Sequence, residues 1–247
     1  MSLRMYALVL ALVLLVALVV TAPARLVALV LPGDNVVMQG FKGTLWRGSA
    51  SRTLVQAGPG YLQLGSVEWA LSPLSLFTFR PRLELSSEWG KQRLEAGLVL
   101  RGGSDFSAHD VSANLSAELV RHYLPVVLEG GLSLQFTRLQ VRDGLPYEAQ
   151  GRIVWQNASW LSPTGVRPLG SYALELQQPP GGELVGEVVT LAGPVEASGS
   201  VQLFGTDYRV DALLGGEEPL DTQLAQALSL VAVEEAGRYR VTLQGSL

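Results

Sequence analysis

From Gly33 onward the apolar residues of this chain recur at every second position, and that period decides what it can fold into. Leu83 and Leu85 alternate with Arg82, Glu84 and Ser86, and Leu94, Ala96, Leu98 and Leu100 with Arg93, Glu95 and Arg101. The same pattern runs through Val111-x-Ala113-x-Leu115, Leu132-x-Leu134-x-Phe136, Ile153-x-Trp155, Tyr172-x-Leu174-x-Leu176, Tyr208-x-Val210-x-Ala212 and Tyr239-x-Val241-x-Leu243. Successive side chains of an extended strand point to opposite faces, so alternation describes antiparallel strands with one apolar face and one wet face. Gly pairs at 102–103, 130–131, 181–182 and 215–216, with Pro179-Pro180 and Asp143-Gly144, supply turn chemistry between the runs. The phase slips between Leu64 and Val67 and again between Phe136 and Leu139, and each slip marks a bulge or a turn. The expected fold class is all-β: a strongly curved, groove-like antiparallel sheet in one domain over residues 32–247.

Two stretches follow a helical period instead. Ser116–Leu124 stops at Pro125 and stripes Leu119, Tyr123 and Leu124 on one side. From about Pro219 to Val231, Leu220, Leu224, Ala227, Leu228 and Val231 fall at helical spacing, with Glu217, Glu218 and Asp221 at the start. Two short helices are therefore expected.

Residues 5–31 form a separate region. Met5–Ala22 carries no charge and is mostly Leu, Val and Ala. As a helix it spans roughly 27 Å at about 1.5 Å per residue, close to the hydrocarbon thickness of about 30 Å. A single transmembrane anchor is expected, preceded by a short cytoplasmic N-terminus at 1–4. The rival is a cleaved leader at Ala22-Pro23-Ala24. The apolar run is longer than a usual leader core, and Pro23 beside the scissile bond is unfavourable. Arg4 against Arg25, Lys42, Arg47 and Arg52 leaves the orientation open on charge alone.

Composition narrows the function classes. The chain is 48% hydrophobic and 16% charged, with a net charge of -4, which suits a packed domain and not a nucleic-acid surface. It contains no Cys, which excludes disulfides and thiolate chemistry. The two histidines, His109 and His122, offer little for catalysis. His109-Asp110 beside Ser104 and Ser107 suggests a hydrolytic cluster only until geometry is considered, since adjacent strand residues face opposite ways. A surface loop explains it. Glu217-Glu218 and Glu234-Glu235 read as solvated turns, and the sequons at Asn114 and Asn157 as chance matches. No catalytic residue, cofactor site or metal site is expected. Trp46, Trp69, Trp89, Trp155 and Trp160 are either sheet packing or, on an exposed face, a carbohydrate platform. Trp69-Ala70-Leu71-Ser72-Pro73 and Trp160-Leu161-Ser162-Pro163 share a Leu-Ser-Pro turn after a tryptophan-bearing strand.

Five segments in order, behind a single apolar helix, resemble the type II secretion system protein N family. They are Gly43-Thr44-Leu45-Trp46-Arg47-Gly48-Ser49-Ala50, Val67-Glu68-Trp69-Ala70-Leu71-Ser72-Pro73-Leu74-Ser75-Leu76, Gly130-Gly131-Leu132-Ser133-Leu134, Gly151-Arg152-Ile153-Val154-Trp155 and Pro168-Leu169-Gly170-Ser171-Tyr172. The residues of that pattern taken as structural are Gly43, Trp46, Gly48, Trp69, Leu71, Pro73, Gly131, Trp155, Gly170 and Tyr172. The resemblance implies a bacterial inner-membrane protein with a periplasmic β domain. Its partners would be other type II secretion components, and no catalytic residues come with it. The chain is more distantly similar to envelope β-groove lipid-transport modules, which implies lipid in a groove as the alternative. The 219–231 segment matches no motif of the family.

Overall fold

The computed structural model describes residues 3–30, 36–57, 60–102, 105–117, 127–162, 165–178, 182–216, 220, 222–229 and 232–246. The chain forms two compact units, Met1–Gly90 and Lys91–Leu247.

In the first unit a helix, α1 (Leu3–Val20), leads through a 3-10 turn at Ala24–Leu26 and the single turn α2 (Val27–Val30). The strands β1 (Val36–Gly43), β2 (Arg47–Ala57), β3 (Gly60–Leu71) and β4 (Arg82–Trp89) then pair antiparallel in chain order. The short helix α3 (Pro73–Leu76) lies between β3 and β4. The phase slip read at Leu64–Val67 is a bulge: Thr53 pairs Gly65, with register shifts on both sides. Ala24, Ala50 and Trp69 form the buried cluster, flanked by Val27, Met38, Phe41 and Leu83.

The second unit is itself a meander of β5 (Gln92–Gly102), β6 (Asp105–Ser116), β7 (Leu128–Arg142), β8 (Leu145–Ser162), β9 (Gly165–Gln177), β10 (Leu184–Ala192), β11 (Glu196–Phe204) and β12 (Asp207–Gly215). The helix α4 (Thr222–Leu228) precedes β13 (Val233–Glu235) and β14 (Arg238–Ser246), and β14 reaches past β13 to pair with β12. The alternating residues of the sequence face one side: Phe136, Ala149 and Leu184 are buried, with Val111, Leu134, Ile153, Leu176 and Leu203 against them. A second cluster joins Ala158, Trp160, Leu169 and Val195, covered by Leu220 and Leu224 of the helical stripe.

Several expectations change. In neither unit does the strand order close on itself, and the sheet is open and not strongly curled. A bulge bends the strand that carries it and does not by itself roll a sheet. Register shifts interrupt β2–β3, β5–β6, β7–β8, β8–β9 and β9–β10, whereas β10–β11, β11–β12 and β12–β14 pair without any. Gly130-Gly131 is not a turn but lies inside β7, at a bulge between the pairings of Glu129 and Gly131. The helix expected at Ser116–Leu124 falls largely outside the described residues, and Ser116 ends β6. The second expected helix is α4, Thr222–Leu228, and Ser229 N–H donates to Ala225 O at its end; residues 219, 221, 230 and 231 of the expected stretch lie outside the described residues.

The apolar helix expected over Met5–Ala22 is α1, and it ends at Val20 because Ala22 and Pro23 are drawn into the sheet's edge. Among the described residues no helix is long and apolar enough to cross a membrane.

Candidate functional site

The family-pattern residues of the first unit gather around the C-terminal end of α1. Gly43 adopts φ +82, a left-handed conformation that lets β1 turn, and a Cβ there would sit 2.5 Å from the Arg47 carbonyl. The turn is closed by Thr44 N–H donating to Arg47 O at 2.8 Å, while Arg47 N–H donates back to the Thr44 hydroxyl at 3.2 Å. That leaves Leu45 and Trp46 at the tip. Leu45 N–H donates to Ala22 O at 2.7 Å, and the Trp46 indole Nε1–H donates to Val19 O at 2.8 Å.

A helix leaves its last carbonyls without intrahelical partners, and α1 carries no basic residue in its last turn to satisfy them. Here the hairpin tip caps the helix. Behind it Trp69 donates its Nε1–H to Leu45 O at 3.1 Å and meets Phe41 edge-on, with ring centroids 6.3 Å apart. Gly48 is the floor for that ring: a Cβ there would lie 2.5 Å from Trp69 Cζ2 and 2.7 Å from the Thr44 carbonyl. Leu71 N–H donates to Trp46 O at 2.7 Å, so the end of β3 is tied to the same tip, and Pro73 opens α3 directly beyond it.

In the second unit the same device recurs with other residues. Trp155 donates its Nε1–H to Glu129 O at 3.1 Å and lies over Gly130, whose Cβ would be 2.7 Å from that nitrogen. The glycine that the packing needs is thus Gly130; Gly131 has open space where a Cβ would go. Sequence reasoning missed it because both glycines of the pair read alike. Trp155 tilts against Tyr172 at 5.9 Å, and the Tyr172 hydroxyl donates to Val195 O at 2.8 Å. Burial raises the Tyr172 pKa to about 12. Gly170, at φ +149, is packed so closely on Ala192 and Gly193 of the β10 end that no side chain fits.

Tryptophan therefore serves packing in this chain. Trp69 and Trp160 are buried, and the indoles of Trp46 and Trp155 are spent on backbone carbonyls. Trp89, half exposed, lies against Gly65.

His109 and Asp110 do meet, with Nδ1 and Oδ2 3.2 Å apart. The expectation of opposite faces fails because Asp110 sits at φ +51, at the β5–β6 register shift between the pairings Glu95–Ser112 and Gly97–His109, which swings its carboxylate back. The pair lies in β6 and not in a loop, and both side chains are more than half exposed. The His109 ring lies over Gly97 across the ladder. The Ser107 hydroxyl is buried without a hydrogen-bond partner among the described residues. Ser104 and His122 lie outside the described residues. Among the described residues no group of three or more His, Asp or Glu could hold a metal ion. A hollow of about 650 Å³ beside β8 and β9 is lined mainly by Glu148, Gln150, Arg152, Glu175, Gln177 and Gln178, which suits water better than an acyl chain.

The chain has relatives. A protein of Aeromonas hydrophila named "Type II secretion system protein N" is 29% identical over 240 residues, covering 93% of this chain and 93% of its own length. No solved structure matches. The family described as type II secretion system (T2SS), protein N, matches residues 34–242, a stretch holding both tryptophan–glycine seats and the capping hairpin, and the chain belongs to that family.

Proposed function

We propose that this chain is a non-enzymatic accessory component of the type II secretion machinery. In this reading α1 anchors it in the bacterial inner membrane, residues 1–4 are cytoplasmic, and the β units stand in the periplasm facing other secretion components. The observation that carries the proposal is the contrast along α1. Its described side chains from Leu8 to Val20 are all exposed, Leu8 at 72% and Val19 at 49%, while Val19 O in its last turn and Ala22 O just beyond it are bound by the β1–β2 tip. A helix so apolar, left uncovered along its length and fastened at one end, suits lipid around it and a folded body at its end.

Partner contact has a natural place at the far end of the chain. Among the described residues β13 pairs only with Arg238–Arg240 of β14, and Val241–Ser246 pair with β12 on one side and with no strand on the other. An open edge of that length can accept a partner's strand.

The test is genetic. Deleting the gene should trap type II substrates in the periplasm. The full chain should restore their release, and a version with residues 1–22 replaced by a cleavable leader should not. Unchanged secretion in the deletion would refute the reading.

A further inference from the structure

We propose that the β3–β4 loop, Ser72–Pro81, is a second membrane contact that dips into the lipid interface beside the end of α1. The inference rests on the reading of α1 as a membrane anchor. It starts from three side chains that the fold leaves bare: Leu74 is 77% exposed, Phe77 82% and Phe79 90%. They do not hang from a loose segment. Ser75 is buried; its hydroxyl donates to Ser72 O at 2.6 Å and accepts from Arg82 N–H at 2.8 Å. Thr78 donates its hydroxyl to Ser75 O at 2.7 Å, and Phe79 N–H donates to Leu76 O at 3.0 Å. Phe79 sits at φ +54, a conformation rare for a bulky side chain. The loop is thus built from within by polar bonds, and its apolar residues are turned outward. In a loop facing only water the arrangement gains nothing.

Position and charge select the occupant. Leu71 N–H is bonded to Trp46 O, and the Trp46 indole to Val19 O, so the loop springs from the same end of the unit as the last turn of α1. A Trp at that level sits where aromatic residues gather at membrane interfaces. The loop contains no acidic residue, and Arg47, Arg80 and Arg82 around it are all exposed. Apolar side chains flanked by guanidinium groups match a bilayer surface bearing anionic headgroups.

The chain has no Cys, so single cysteines can be introduced and labelled cleanly with an environment-sensitive fluorophore. Phe79→Cys, with Phe77→Cys as a second site, reports the loop; Val16→Cys reports α1. Tyr61→Cys reports the other end of β3, about 33 Å away at about 3.3 Å per residue. The full-length variants are reconstituted into vesicles of phosphatidylcholine and phosphatidylglycerol carrying a nitroxide quencher near the headgroup or deep in the chains. The labels at 79 and 77 should lose more emission to the shallow quencher than to the deep one. The label at 16 should lose more to the deep one, and the label at 61 should lose none. A quenched label at 16 with unquenched labels at 79 and 77 overturns the loop contact while leaving the anchor intact. An apolar emission from those loop labels without quenching also overturns it and points to a protein partner. An unquenched label at 16 overturns the anchor, and the loop proposal with it.

Discussion

Replacing Trp69 by Ala probes the joint between α1 and the sheet. The side chain is 94% buried by its 6% exposure. An aromatic side chain buries about 150–250 Å², which at about 25 cal/mol per Å² is about 4–6 kcal/mol. Large-to-small substitutions of Trp cost about 3–5 kcal/mol, in agreement. A loss of about 4 kcal/mol corresponds to nearly a thousandfold in an opening equilibrium, since about 1.4 kcal/mol is tenfold. Hydrogen exchange of β2 and β3 peptides in the full chain should accelerate by up to that factor, bounded by the stability of the unit. Gly48→Ala sharpens the argument, because its new methyl meets the Trp69 ring first and the Thr44 carbonyl second. Alone it should cost about 1–3 kcal/mol through overpacking. In the Trp69→Ala background the ring is gone while the Thr44 carbonyl at 2.7 Å remains, so the penalty should fall by about 1 kcal/mol or more. Additivity of the two substitutions within about 0.5 kcal/mol would show that the glycine is not the seat of the ring, and the account of this joint would be wrong.

Four further outcomes follow from the same contacts. Trp46→Phe removes the indole bond to Val19 O and should speed exchange at residues 17–22 by about fivefold, for a loss of about 1 kcal/mol; unchanged exchange there would mean the hairpin does not cap α1. Ser75→Ala strands the Arg82 N–H and should cost about 1–3 kcal/mol, seen as faster exchange across residues 72–82. Gly130→Ala should destabilise the second unit, whereas Gly131→Ala should be neutral or slightly stabilising, a contrast readable from urea midpoints. Tyr172 gives a pH signature. Its folded pKa of about 12 lies above the unfolded value of 10.0, so the unfolded chain loses the proton first and stability falls as pH rises between those values. Tyr172→Phe should flatten that part of the profile relative to the parent.

The strands were legible because their cause is local: Leu134 and Phe136 bury on one face whatever lies beyond, and the slip before Leu139 is the register shift between Phe136 and Arg138. Asp143-Gly144 is the β7–β8 turn for equally local reasons. Curvature was not legible, since alternation sets which face a side chain takes and a bulge bends only the strand that carries it. Nor was the distinction between Gly130 and Gly131, which only the ring of Trp155, a strand away, can make. His109 and Asp110 were misread for a related reason: a single positive φ overrides the alternation on which the reading relied. The site's pattern residues were visible as Gly and Trp, but their purpose was not, because the carbonyls they serve belong to Val19, Leu45 and Glu129 and carry no side-chain signature. The Leu76-Phe77-Thr78-Phe79 run was a signal left unused: it is apolar without keeping the period of a strand.

The meander has a consequence for how such a chain is made. From β1 to β4, and again from β5 to β12, each strand lies beside the one synthesised just before it. A polypeptide that emerges amino end first can therefore add one strand at a time to a growing margin, with short loops to close and no need to wait for distant sequence. Only the last step departs from that order, because β14 must pass α4 and β13 before it finds β12. A chain interrupted before residue 238 leaves the outer side of β12 without a strand, and the arrival of β14 covers it and passes the open margin outward by one strand.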